Sequence, residues 1–181
     1  ECADIYEVDA HTVLKLGKLG WSKDMLYQEY LNGKAISGSG IAAPGVYDFV
    51  EIGERYGYTM DKLKDVTLLD MMWKYPWRIV SYSKQLAVLH AQIHSAAVPD
   101  GLQPLTEVYG GFISAKQNIS EKRKKELISD IERLNAGSTK CICHGDFHAM
   151  NVLTEGSDFV VIQDKRYILL HFAYDRIHRL H

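Results

Sequence analysis

Two cysteines, two histidines, an aspartate and an asparagine fall within the stretch CICHGDFHAMNVL, residues 141–153. Side chains of these types at this density can ligate a metal, move a proton or orient a phosphate. Cys141, Cys143, His144 and His148 are all competent zinc ligands. Structural zinc sites, however, space their cysteines by about two to four residues and add a second ligand pair at a set distance. One residue separates these two, and no second pair stands downstream at that spacing. The plainer reading makes Cys141 and Cys143 small apolar residues of a strand, pointing to opposite faces, and His148 a hydrogen-bonded loop residue. His144, Gly145, Asp146 and Asn151 remain, between two short apolar runs. A carboxylate can orient an attacking hydroxyl and accept its proton, and a nearby amide oxygen can ligate the magnesium that neutralises phosphates. Phosphoryl transfer needs both services.

Groups in a loop do such work only when regular elements hold them in place. With 181 residues, 46% hydrophobic and 24% charged, the chain can form one large globular domain or two small lobes. Its 21 basic residues against 23 acidic ones give a net charge of −2, no footprint for nucleic acid or an anionic membrane surface. The basic run Lys122, Arg123, Lys124 and Lys125 is flanked by Glu121 and Glu126 and reads as a solvated helix face. Three cysteines make no disulfide framework, which points to the cytoplasm. The acidic start ECADIYEV is unlike a signal peptide, and no stretch approaches the roughly 20 apolar residues of a membrane span.

Alternation on both sides of Asp9, Ala10 and His11 predicts a hairpin over residues 3–16. Ser22 predicts the start of a helix in which Met25, Leu26, Glu29 and Tyr30 share a face, with Gly33 as its stop. VYDFVEIG and RYGYTM read as two further strands. The first 60 residues are therefore expected to form an antiparallel sheet with one inserted helix. Residues 62–65 read as a linker, after which helical spacing takes over: Leu86, Leu89 and Ile93, then Leu127, Ile131 and Leu134, the latter between a Ser120 cap and a Gly137 stop. Short strands return in KCIC, NVL and DFVVI.

The order His-Gly-Asp, four residues, Asn, set between such strands, resembles the catalytic loop of the aminoglycoside phosphotransferase and choline kinase families. The resemblance extends over nearly the whole chain. It implies an α+β, protein-kinase-like fold of two lobes: a small antiparallel N-terminal lobe with one helix (1–64) that binds nucleotide, and a mostly helical catalytic lobe (65–181). It implies ATP and magnesium as cofactors and a small hydroxylated acceptor such as an aminoglycoside, amino alcohol or sugar. Asp146 is then the base. Lys15 on the second strand is the phosphate-binding lysine, Glu29 its ion-pair partner, and the backbone near Met60, Asp61 and Leu63 the adenine site. His144 shapes the turn and joins the nucleotide-binding set, while Asn151 ligates magnesium. His90 and His94, on the helix expected beneath the loop, are read as packing residues.

The second acidic ligand of the family falls at Gln163 if no gap is allowed, and at Asp164 after a slip of one residue. We take Asp164, reached through a local bulge, because glutamine offers a hard cation only one neutral oxygen. The resemblance also implies a glycine-rich loop before DIYEV, of which residues 1–4 would be the stump. It implies further helices toward the carboxyl end, AYDRIHRLH beginning like one of them with Asp175 as a structural aspartate. Two other readings stand beside the kinase: a degenerate kinase-like domain that binds nucleotide or a partner without turnover, and a zinc-dependent domain.

Overall fold

The computed structural model describes residues 3–135, 139–155, 158–162 and 173–177. Ala3–Glu7 (β1) and Thr12–Gly17 (β2) form the expected hairpin, closed by the Asp9 carboxylate, which accepts the N–H groups of His11 and Thr12 at 2.8 Å each. This is the short-range turn chemistry that aspartate favours. Val46–Ile52 (β3) and Arg55–Asp61 (β4) complete an antiparallel sheet in the order β1-β2-β4-β3. The β2–β4 register sets Lys15 opposite Tyr58 and Leu16 opposite Gly57. Gly57 is required there, since a Cβ would lie 2.2 Å from the Lys15 carbonyl oxygen.

Lys23–Ser37 (α1) lays Leu26, Glu29, Asn32 and Ile36 on the sheet, one buried stripe at helical spacing. The predicted stop at Gly33 is overturned: the helix continues to Ser37 and is capped by Gly38. Gly33 serves close approach instead, because a Cβ there would meet Val46 Cγ2 at 3.0 Å. Met25, expected on one face with Leu26 and Glu29, is 38% exposed while those two are buried.

Beyond residues 62–65 come Leu68–Lys74 (α2), whose start is fixed by a capping box between Thr67 and Asp70, and a short 3-10 turn leading into Ile79–Ser95 (α3). Leu105–Ala115 (α4) and Glu121–Asn135 (α5) follow, then Thr139–Cys143 (β5). Val152–Glu155 (β6) and Asp158–Val161 (β7) form a second hairpin. Ala173–Ile177 (β8) pairs antiparallel with β5, so where a helix was expected to begin, residues 173–177 form a strand, and the rest of AYDRIHRLH lies outside the described residues. The reason is tertiary: β5 presents a row of backbone donors and acceptors that needs a partner. The expected opposition of Cys141 and Cys143 is also corrected. Residues two apart on a strand share a face, and their sulfurs lie 3.8 Å apart.

The architecture is α+β, a small sheet with one helix joined to a mostly helical part. Its buried core gathers Ile36, Leu68, Tyr82, Ile93, Ile142 and Val161 from both. Two backbone bonds pin the second hairpin. The Val161 N–H donates to the Ala42 carbonyl at 2.7 Å, and the Thr154 N–H to that of Val66 at 2.9 Å. Among the described residues no helix is long and apolar enough to cross a membrane.

Candidate active site

Between the sheet and the second hairpin lies a cleft of about 740 Å³. Its roof carries Val13 and Lys15 from β2, its back wall Met60, Asp61 and Leu63, and its floor Leu153, Val161 and Ile162. The structure therefore brings Lys15 and the three expected adenine-site residues into one cavity. Lys15 is only 5% exposed, and its Nζ donates to Glu29 Oε1 at 2.6 Å. The Tyr58 hydroxyl, directly across the strand, donates to the same oxygen at 2.8 Å. Burial first, and the Glu29 charge second, hold the Tyr58 pKa well above the ordinary phenol value, so it stays a donor. An ammonium carries three hydrogens; the single bond to Glu29 leaves Lys15 two for the cavity.

The back wall is fixed by its own backbone. The Asp61 N–H donates to the Gly45 carbonyl at 3.0 Å and the Lys62 N–H to that of His11 at 2.7 Å. The Asp61 carboxylate accepts the Gly45 N–H at 2.6 Å and the Tyr47 hydroxyl, which turns it toward β3. The Leu63 N–H meets no backbone acceptor among the described residues.

Below the cleft, β5 delivers the loop from His144 to Asn151. Gly145 takes a φ of 81°, the left-handed region that glycine enters without strain. His144 is 2% exposed; its Nδ1 accepts the Asp146 N–H at 3.3 Å, so the neutral ring donates from Nε2 to the Ile162 carbonyl at 2.9 Å. Burial is the main cause that holds its pKa below the ordinary 6.5. Asn151, also 2% exposed, donates from Nδ2 to the Asp146 carbonyl at 2.9 Å and to Asp146 Oδ2 at 3.2 Å. Its own carbonyl accepts the Ile162 N–H at 2.9 Å. Ile162, on the cleft floor, is thus clamped by His144 from one side and Asn151 from the other. Phe147 stacks on His90, centroids 4.7 Å apart, and His90 lies against His94, so both helix histidines pack beneath the loop.

The donor set suits a hard divalent cation in one respect. With Nδ2 of Asn151 turned inward, no described residue donates to its Oδ1, the kind of oxygen magnesium prefers. Gln163 and Asp164, the alternatives for the second ligand, lie outside the described residues, and Asp175 is placed on β8 opposite Cys141.

A sequence model described as APH, phosphotransferase enzyme family, matches residues 3–162. The chain belongs to this family. Among solved structures, an aminoglycoside-3'-phosphotransferase of type VIII is 15% identical with a TM-score of 0.60, over 97% of this chain and 74% of that one. The aminoglycoside phosphotransferase APH(3'')-Id from Streptomyces rimosus is 14% identical with a TM-score of 0.57, over 95% and 72%. A thermostable mutant of APH(4)-Ia is 16% identical with a TM-score of 0.56, over 88% and 61%, so this chain spans less than two thirds of that protein. At these identities the likeness shows the fold, the two-lobed α+β architecture expected above. Among curated proteins none matches the chain.

In this member of the family, the sequence passes over Tyr58 and Ile162 and makes His148 an ordinary loop residue. Tyr58 acts through a strand register that no local pattern reveals, and Ile162 through backbone atoms, to which residue type gives no clue. His148 carried a signal, two residues from an aspartate and three from an asparagine.

Proposed function

We propose that this phosphotransferase transfers the γ-phosphoryl group of ATP to a hydroxyl of a small molecule: an aminoglycoside, amino alcohol or sugar-like acceptor. One observation carries the reading. Lys15, paired with buried Glu29, lines the cleft together with Ile162, and Ile162 is hydrogen-bonded to His144 and Asn151 of the loop that bears Asp146. Residues 1–64 serve as the nucleotide lobe and residues 65–181 as the catalytic lobe. The apolar walls at Val13, Met60 and Leu153 suit an adenine ring, and the Leu63 N–H is the donor left for its edge. Lys15, held by Glu29, offers its remaining hydrogens to the phosphates, while His144 keeps the cleft floor and the catalytic loop in register.

Asn151 Oδ1, with Asp164 as the second ligand, would hold a magnesium ion, which supplies neutralisation of phosphate charge. Asp146 orients the acceptor hydroxyl and takes its proton as the hydroxyl oxygen bonds to phosphorus and ADP departs. Positioning and charge complementarity provide most of such a rate enhancement. A thermostable mutant of APH(4)-Ia, which shares the fold, forms a ternary complex with ADP and hygromycin B, and this supports a nucleotide and a hydroxyl-rich acceptor here.

The test is an ADP-release screen over hydroxylated acceptors, paired with melting curves in ATP with and without magnesium. The reading predicts acceptor-dependent ADP release abolished in Asp146→Ala, with ATP stabilisation retained. Stabilisation by ATP with no ADP release from any acceptor would favour a nucleotide-binding domain without turnover.

A further inference from the structure

His148 stands at the head of the short turn Ala149–Asn151, and its Nδ1 accepts the Met150 N–H at 3.2 Å. A neutral imidazole whose Nδ1 is an acceptor carries its hydrogen on Nε2. That nitrogen lies 3.3 Å from Asp146 Oδ2. Asn151 Nδ2 lies 3.2 Å from the same oxygen and 3.4 Å from the imidazole nitrogen, so two donors converge on one carboxylate oxygen. No described residue donates to Asp146 Oδ1, and the side chain is 37% exposed.

We propose that His148 is a positioning residue: its Nε2–H holds Asp146 Oδ2, which leaves Oδ1 as the oxygen that meets the acceptor hydroxyl. The inference rests on the phosphotransferase reading above and adds to it an atom and a partner. A carboxylate fixed by one donor can still rotate about its Cβ–Cγ bond, whereas donors from two directions at one oxygen define its plane. With the plane fixed, the acceptor proton passes to Oδ1 as the new O–P bond forms and the bond between the γ-phosphorus and the ADP oxygen breaks. Asp146 afterwards returns that proton to water. His148 touches neither phosphate nor acceptor in this scheme and exchanges no proton. Its contribution is geometric, and small displacements of a reacting group are costly in rate.

A merely structural alternative exists, in which His148 matters only as the cap for the Met150 N–H. Two variants separate the roles. His148→Asn keeps an acceptor near the Nδ1 position but is too short to reach Asp146, and His148→Gln places an N–H donor near the Nε2 position. The proposal predicts that His148→Asn melts close to wild type, keeps its KM for ATP within about twofold, and loses roughly 10- to 100-fold in kcat, by analogy with the loss of outer-shell hydrogen bonds that orient metal-ligating groups. His148→Gln should recover most of that loss. Wild-type kcat in His148→Asn, or equal loss in both variants with lowered melting temperatures, would overturn it. A nitrogen-15 spectrum of histidine-labelled protein gives a readout independent of turnover. His148 should show the hydrogen on Nε2, with a resonance that moves in Asp146→Ala. A hydrogen on Nδ1 would contradict the proposal even in an active enzyme. If wild type forms no ADP with any acceptor, the phosphotransferase reading fails, and the role in transfer falls with it; the spectrum then still decides the His148–Asp146 contact.

Discussion

Glu29 Oε1 accepts hydrogen bonds from Lys15 and Tyr58 inside a nearly dry region, so the three side chains cannot be altered independently. Truncating Glu29 to alanine leaves a buried ammonium without its counter-charge and should cost on the order of 3–5 kcal/mol in urea unfolding. Tyr58→Phe removes one donor and keeps the ion pair, so about 1 kcal/mol is expected. A double-mutant cycle between Lys15 and Glu29 would show strong coupling; additivity would mean that the pair does not hold the lysine. The histidines add a pH dependence of definite sign. His144 and His94 both have pKa values lowered mainly by burial. As pH falls below about 6.5 the unfolded chain binds protons before the native state does. Stability is therefore complete above that pH and declines below it, at up to about 1.4 kcal/mol per pH unit for a fully titrating His144. Urea midpoints between pH 7.5 and 5.5 should fall accordingly, and His144→Gln should flatten the decline. At this scale the grouping of Asp146 with Asn151 was legible, because the two are neighbours in the chain. The Tyr58 contact was not, because it depends on a pairing 43 residues away from Lys15 in sequence.

The elements matter through how closely they approach. Gly57 lets β4 lie against β2 where a Cβ would press on the Lys15 carbonyl and on Leu16 Cα at 2.9 Å. Gly57→Ala must therefore move backbone rather than a side chain, and overpacking of this kind costs about 1–3 kcal/mol or more. The strand that moves carries Lys15. The variant should melt lower and raise the KM for ATP, while Gly53→Ala, at a turn with a φ of 61° and open space around it, should lower stability and leave that KM alone. Equal KM changes in both would remove the link between strand register and nucleotide. Strands and helices with clear periodicity were legible in the sequence: the first hairpin, β3, β4, α3 and α5. The errors came where tertiary contact outweighs local preference. Gly33 looks like a stop and proves to be a contact point under Val46. Residues 173–177 look like a helix start and instead fill the edge of β5.

Across the whole molecule, the cleft has walls from both parts of the chain, and the bond from Val161 to the Ala42 carbonyl ties its floor to the segment after α1. A ligand that touches both walls stabilises both. With nucleotide at about 100 times its Kd the expected gain is roughly 2.7 kcal/mol, visible as one cooperative shift of the melting curve. Splitting into two transitions would mean that the nucleotide holds only one part. Composition and length allowed one large domain or two small lobes, and the order of motifs announced the family and with it the two-lobed fold. Neither could place the cleft floor, which is held by backbone bonds from Ile162 to Asn151 and from Val161 to Ala42. The most direct test is a crystal structure with a non-hydrolysable ATP analogue and magnesium. The account predicts phosphates beside Lys15 Nζ and a magnesium ion about 2.1 Å from Asn151 Oδ1, with Asp146 Oδ1 facing the γ-phosphate across the acceptor position. A nucleotide bound elsewhere, or a metal that ignores Asn151, would contradict it.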